Sequence, residues 1–91
     1  MATFVTSHCK AANDGIRLAK RGVEIAVCPV SDGDGNDLVI VATESPLRDS
    51  VVEIKQGMAL TVSGRLSHRS LLAQRRATLE VDKVILRDRA A

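Results

Sequence analysis

The sequence predicts an all-β fold class, a five-stranded Greek-key barrel with one short helix between strands 3 and 4. Three observations point there. Segments alternating apolar and polar residues recur along the chain, most regularly from Met58 to Leu66. The period changes once, after Ser45-Pro46, where apolar residues fall at helical spacing. Short runs of turn residues, not long linkers, separate most of the segments. With 91 residues the chain makes one domain, expected over 1–88 with 89–91 as a frayed tail. A core of this size buries a modest share of the chain, so association between copies is expected.

Thr3 to Ala11 reads as the first strand, with Val5, Cys9 and Ala11 on one side and Phe4, Thr6 and His8 on the other. Ala12-Asn13-Asp14-Gly15 supplies a turn. Ile16 to Val30 follows as one long strand, or two short ones meeting near Arg21-Gly22, where the glycine suggests a bulge or bend. Val23, Ile25 and Val27 share a face, and Pro29, which has no N–H, should end the strand or lie at an edge. Ser31-Asp32-Gly33-Asp34-Gly35-Asn36 is the clearest turn. Leu38 to Ala42 is a continuous apolar run, suited to a central strand covered on both sides.

Ser45-Pro46 then starts a helix of about ten residues, with Ser45 as N-cap and Pro46 at the first helical position. Leu47, Val51 and Ile54 form its apolar face, and Gly57 is placed to end it. In the strand from Met58 to Leu66, Gly64 sits in the apolar row, which marks a bend or the close approach of another backbone. Ser67 to Arg75 is a basic connector. Ala77 to Leu86 is the last strand, whose inward phase slips from Leu79 and Val81 to Val84 and Leu86, implying a bulge. Five strands with a helix after the third is the order of the OB-fold; a mixed two-layer α+β sheet is the alternative.

Composition excludes several functions. No apolar run approaches the roughly 20 residues of a membrane span, and Met1 to Lys10 lacks the pattern of a signal peptide, so a cytoplasmic protein with no membrane contact is expected. Two cysteines, Cys9 and Cys28, make neither a disulfide framework nor a zinc site and read as small buried side chains. Asp32, Asp34 and Asn36 sit at the first, third and fifth places of an EF-hand loop. The sixth and twelfth places hold Asp37 and Thr43 where calcium binding needs Gly and Glu, so the segment reads as a hairpin loop. His8 and Cys9, adjacent on a strand, point to opposite faces and cannot act as a nucleophile–base pair. No enzyme, metal or cofactor is expected.

Charge is divided unevenly. Five basic against eight acidic residues give −3 over 1–54, and eight against three give +5 over 55–91. A basic C-terminal third fits a polyanion.

Three stretches resemble bacterial single-stranded DNA-binding proteins (SSB). Arg17-Leu18-Ala19-Lys20-Arg21-Gly22-Val23-Glu24-Ile25-Ala26-Val27 is similar to the family's second strand, and Leu38-Val39-Ile40-Val41 with the helix after it to the third. Lys55 to Leu66 is similar to the lysine-glycine entry to the fourth strand and its closing Gly-Arg-Leu. The short chain, ending Asp88-Arg89-Ala90-Ala91 without an acidic tail, also resembles the compact primosomal replication protein B type.

The resemblance implies an OB-fold that binds single-stranded DNA or RNA, assembles as a homodimer or homotetramer, and works in DNA replication or repair with replication proteins as partners. The connections before the second and after the fourth strand would hold the nucleic acid, the first with Lys10, Arg17, Lys20 and Arg21, the second with Arg65, His68, Arg69, Arg75 and Arg76. The chain departs from the family in having no Trp, no Tyr and a single Phe, Phe4, which is as well suited to the core as to a base. Binding would then rest on phosphate contacts with little sequence specificity. The competing reading is a degenerate OB barrel that docks protein.

Overall fold

Pairing of the alternating segments closes them into a ring. The computed structural model describes residues 3–67 and 77–87. The elements run β1 (Thr3–Ala11), β2 (Ile16–Lys20), β3 (Val23–Asp32), β4 (Asp37–Ala42), α1 (Leu47–Val52), β5 (Ala59–Ser67) and β6 (Ala77–Leu86). The sheet order is β1-β5-β6-β4-β3-β2, and β1 pairs with β3 as well. Five strands therefore close a barrel, while β2 lies outside the ring, attached to β3. Every pairing is antiparallel except that of β4 with β6. Closure, the single parallel pair and the helix between β4 and β5 make this an OB-fold, and the two-layer alternative falls.

The segment from Ile16 to Val30 departs most from expectation. Two strands do meet at Arg21-Gly22, as one of the two expected forms has it, but through a hairpin turn and not a bulge or bend: Lys20 pairs with Val23 across the two residues. Arg21 and Gly22 both have positive φ, 53° and 77°. That is the requirement of a type I′ turn, whose twist matches that of the strands it joins. Nor does the strand end at Pro29. The proline sits between Val27, the last residue paired with β2, and Val30, the first paired with β1, so it occupies a local edge inside a longer strand.

The barrel interior takes Cys9, Ala11, Ala26, Cys28, Val30, Leu38, Ile40, Ala42, Leu60, Val62, Leu79 and Val81, with Val51 and Ile54 of the helix segment closing one end. β4 is covered on both sides as expected: Leu38, Ile40 and Ala42 face this core, while Val39 and Val41 join Val27 in a second cluster flanked by Leu18 and Ile25. The helix is shorter than predicted. Pro46, not Ser45, stands at the N-cap without a side-chain cap. The helix ends at Val52 with Glu53 as C-cap, the last helical bonds running from the Glu53 and Ile54 N–H groups to the Asp49 and Val51 carbonyls. The reason lies in tertiary contacts. Ile54 gives its carbonyl to the Gly15 N–H at 2.9 Å, and the Gln56 N–H goes to the Asp14 carboxylate at 2.8 Å, partners that a continuing helix would have claimed.

Two predicted irregularities are present at one place. The β5–β6 register shifts between Ser63 and Gly64, leaving Asp82 as the extra residue on β6, and a Cβ on Gly64 would fall on the Glu80 carbonyl.

Burial pushes the thiols of Cys9 and Cys28 up to about 11 from 9.0. Between these values the unfolded chain loses thiol protons that the folded chain keeps. Stability should therefore hold up to about pH 9 and fall as pH rises towards 11. Urea midpoints at pH 8, 9 and 10 check this, and a Cys9→Ala, Cys28→Ala protein should show a shallower decline. An equal decline in that variant would assign the effect to other groups.

Candidate nucleic-acid interface

Because β3 carries apolar residues at both parities, one set must face outward. The narrow interior takes the small Ala26 and Cys28 with Val30, and the larger Val23, Ile25 and Val27 lie on the outer side. The register places them in rows across three strands. Ile16, Val27 and Val41 form one, Leu18 and Ile25 the next, and Pro29 and Val39 a third. Val27, Val39 and Val41 are buried, Leu18 and Ile25 half-buried, and the outermost members are open, Ile16 at 50% and Val23 at 56% exposure. The result is an aliphatic platform on β2, β3 and β4. Val23, Ile25 and Val27 share a face as expected, and that face points away from the core. The only signal for it was the double parity of β3.

The predicted cations divide. Arg17 lies on the other side of the hairpin, turned to α1, where its guanidinium donates to Glu24 at 2.9 Å and Asp49 at 2.8 Å. Arg48 adds a bond to the Glu24 carbonyl at 3.0 Å, so this side is a clamp between hairpin and helix. Lys20 closes the hairpin opposite Val23, and Arg21 is exposed in the turn beside it. Lys10 and Arg65 belong to a different surface, the outer face of β1, β5 and β6. There Lys10 is exposed next to Ala59, and Arg65 pairs with Phe4 on one side and Glu80 on the other. His68, Arg69, Arg75 and Arg76 lie outside the described residues.

The base of their connector is described, however. Ala77 pairs with Leu38, and Leu38 with Val30, whereas the Arg21-Gly22 turn lies beyond Val23. Seven residue steps along β3, about 23 Å, separate the two positions. The two basic connections thus leave the sheet at opposite ends of the platform.

The single aromatic ring is not in the core: Phe4 is 60% exposed. It borders a cleft also lined by Glu44, Arg65, Glu80 and Asp82, where three carboxylates surround one guanidinium, a poor setting for a phosphate. Further along the same face Thr6 bonds Ser63 at 2.9 Å. The His8 Nδ1 lies 2.8 Å from the Thr61 hydroxyl and 3.3 Å from Arg87. Since the guanidinium can only donate, Nδ1 is the acceptor and the Thr61 hydroxyl also donates to it. His8 is exposed and Cys9 buried, on opposite faces of β1. The turn after β3 spends the Asp32 carboxylate on the backbone N–H groups of Asp34 and Asn36, both at 2.9 Å, and the Asn36 amide bond in particular holds its pKa below the usual range. Among the described residues no group of three or more His, Cys, Asp or Glu is placed to hold a metal ion, and no helix is long and apolar enough to cross a membrane.

No protein-family model and no curated protein matches the chain. Solved structures do. The small single-stranded DNA-binding protein from Streptomyces coelicolor superposes with a TM-score of 0.75 at 12% identity, covering 94% of this chain and 93% of that one. The second single-stranded DNA-binding protein (SSBb) from Mycobacterium smegmatis gives 0.74 at 13% identity, with 94% and 89% covered. The SSB domain of a Synechococcus protein gives 0.72 at 14%, with 92% and 93% covered. At such identities the likeness is one of fold, and it extends over nearly the whole of both chains.

Proposed function

We propose that this chain is a member of the single-stranded DNA-binding protein family and binds single-stranded nucleic acid, DNA foremost, across the outer face of β2, β3 and β4. The observation that carries the reading is the outward platform of Ile16, Leu18, Val23, Ile25, Val27, Val39 and Val41, on a fold shared with proteins whose structures bear that name. Unstacked bases lie on the open Ile16 and Val23 and the half-buried Leu18 and Ile25, which the buried Val27, Val39 and Val41 support from beneath. Phosphates meet Lys20 and Arg21 at one end and the basic connector with His68, Arg69, Arg75 and Arg76 at the other. Lys10 and Arg65, on the other outer face, lie off this path, and Arg17 holds the hairpin in place.

An aliphatic platform makes contact with any base and reads none, so sequence selectivity is low. It also lacks the roughly 1–3 kcal/mol that each base stacked on a ring provides, which leaves phosphate contacts dominant. Copies associate as a homodimer or homotetramer through the edge of β1, which among the described residues lacks a second neighbour until Cys9 meets Asp32. The setting is DNA replication or repair in the cytoplasm.

Fluorescence anisotropy of a labelled thymidine oligomer tests the binding. For four phosphate contacts, affinity should fall about 50-fold between 50 and 200 mM salt, following a slope of about −0.7 per contact for single strands. Flat traces at tens of micromolar protein and low salt would reject nucleic-acid binding and favour the protein-docking alternative.

A further inference from the structure

We propose that β2 is a docking edge that takes up an extended, acidic peptide segment of another protein as an added strand. This goes beyond nucleic-acid binding, since it uses the main chain at the sheet's end, beside the rim of the platform at Ile16 and Leu18.

Among the described residues β2 is the last strand of the sheet, with β3 on one side and no strand on the other. In a two-residue hairpin the closing pair exchanges both ladder hydrogen bonds, and the pattern then alternates. Lys20, Leu18 and Ile16 accordingly bond to β3, and the N–H and C=O groups of Arg17 and Ala19 point away from the sheet. Proteins usually guard such an edge with proline, a bulge, an outward charge or a covering element. β2 contains no proline, its register with β3 is unbroken, and its Arg17 side chain is drawn to Glu24 and Asp49 on the helix side. Ala19, exposed and small, leaves room at the centre of the strand.

Two features define what fits. The platform rows end at Ile16 and Leu18, so an added strand with apolar residues at alternate positions continues them and covers the open Ile16. The charge left over is one-sided: positions 16 to 21 hold no carboxylate, and with Arg17 taken by Glu24 and Asp49 the remaining cations are Lys20 and Arg21. Among the described residues Arg21 forms no ion pair. A second copy of the β2–turn segment would bring another Lys20 and Arg21 to an edge that is already basic, which like-charge repulsion disfavours. An incoming strand with Asp or Glu between its apolar residues meets these cations with the opposite sign.

The probe is a fluorescein-labelled octapeptide repeating Glu-Val-Asp-Ile, with a Lys-Val-Lys-Ile counterpart, read by anisotropy at low salt. The acidic peptide should bind and the basic one should not. Ala19→Pro removes one edge N–H and leaves the β2–β3 ladder intact, so it should weaken peptide binding about tenfold or more with thymidine-oligomer binding unchanged. Should that variant fail to fold by circular dichroism, Arg21→Asp is the second test, because Asp tolerates the positive φ of the turn. It should weaken the acidic peptide several-fold. Absence of acidic-peptide binding, equal binding of the two peptides, or indifference to the folded variants would each overturn the proposal. None of these readings depends on the nucleic-acid function being correct.

Discussion

Gly64→Val is expected to abolish cooperative folding, and Gly64→Ala to lower stability by about 3 kcal/mol, at the upper end for overpacking. A Cβ at this position falls on the carbonyl of Glu80, and that carbonyl belongs to a strand held on both sides, since Glu80 pairs with Arg65 of β5 and with Val41 of β4. A flexible side chain could rotate away; a backbone group in the middle of two ladders cannot move without breaking one of them. Losing ladder bonds adds about 1 kcal/mol for each one left unmade. A small domain has a total of roughly 5–15 kcal/mol to lose, and valine adds two further carbons to the same collision. Gly33→Ala is the control, because its Cβ meets nothing within 4 Å and it lies in a turn. Urea unfolding followed by circular dichroism should separate the two alanine variants clearly. Similar midpoints would mean that the strands at Gly64 can part without penalty.

The same position shows what could be read without a structure. Gly64 interrupts an apolar row, and a side chain missing from a buried row means that something else fills the space. β1, β4, β5 and β6 were legible for a related reason: in each, inward and outward residues differ in character, or both sides are apolar over a short length. α1 was legible in its apolar face, Leu47, Val51 and Ile54, but not in its end, because Asp14 and Gly15 stop it from more than 35 positions away. The hairpin was missed because Arg21-Gly22 is not one of the Asn-Gly or Asp-Gly pairs that announce a type I′ turn.

The interface was legible only as a list of residue types. Arg17 looked like a free cation, since its partners Glu24 and Asp49 lie 7 and 32 residues away and meet it only once the hairpin is folded against the helix. Phe4 looked as well suited to the core as to a base, and Val23 was placed on a face with Ile25 and Val27 whose direction was open. Which parity enters the barrel is decided by closure of the ring, and nothing local in β3 distinguishes Ala26 and Cys28 from Ile25 and Val27 except size.

Ile16→Trp should tighten binding of a thymidine oligomer by tenfold or more, in line with about 1–3 kcal/mol per base stacked on a ring. Ile16 is the open end of the row that runs through Val27 to Val41, and its half-exposed side chain leaves room for an indole to lie over its neighbours without displacing the core. Tryptophan is also at home in a half-buried strand, so the substitution should not weaken the hairpin. The argument depends on place, and the matched control is Ile85→Trp. Ile85 is 44% exposed on β6, opposite Thr61 on the other outer face, so a ring there should add nothing to affinity. Because the parent chain has no tryptophan, quenching of the new indole reports directly on contact with the bases, while anisotropy reports the affinity. A gain at position 16 with quenching, and neither at 85, is the expected pair of results. If position 85 gains as much as 16, or 16 gains nothing, the bases do not lie on β2, β3 and β4, and the platform is left as a surface for protein.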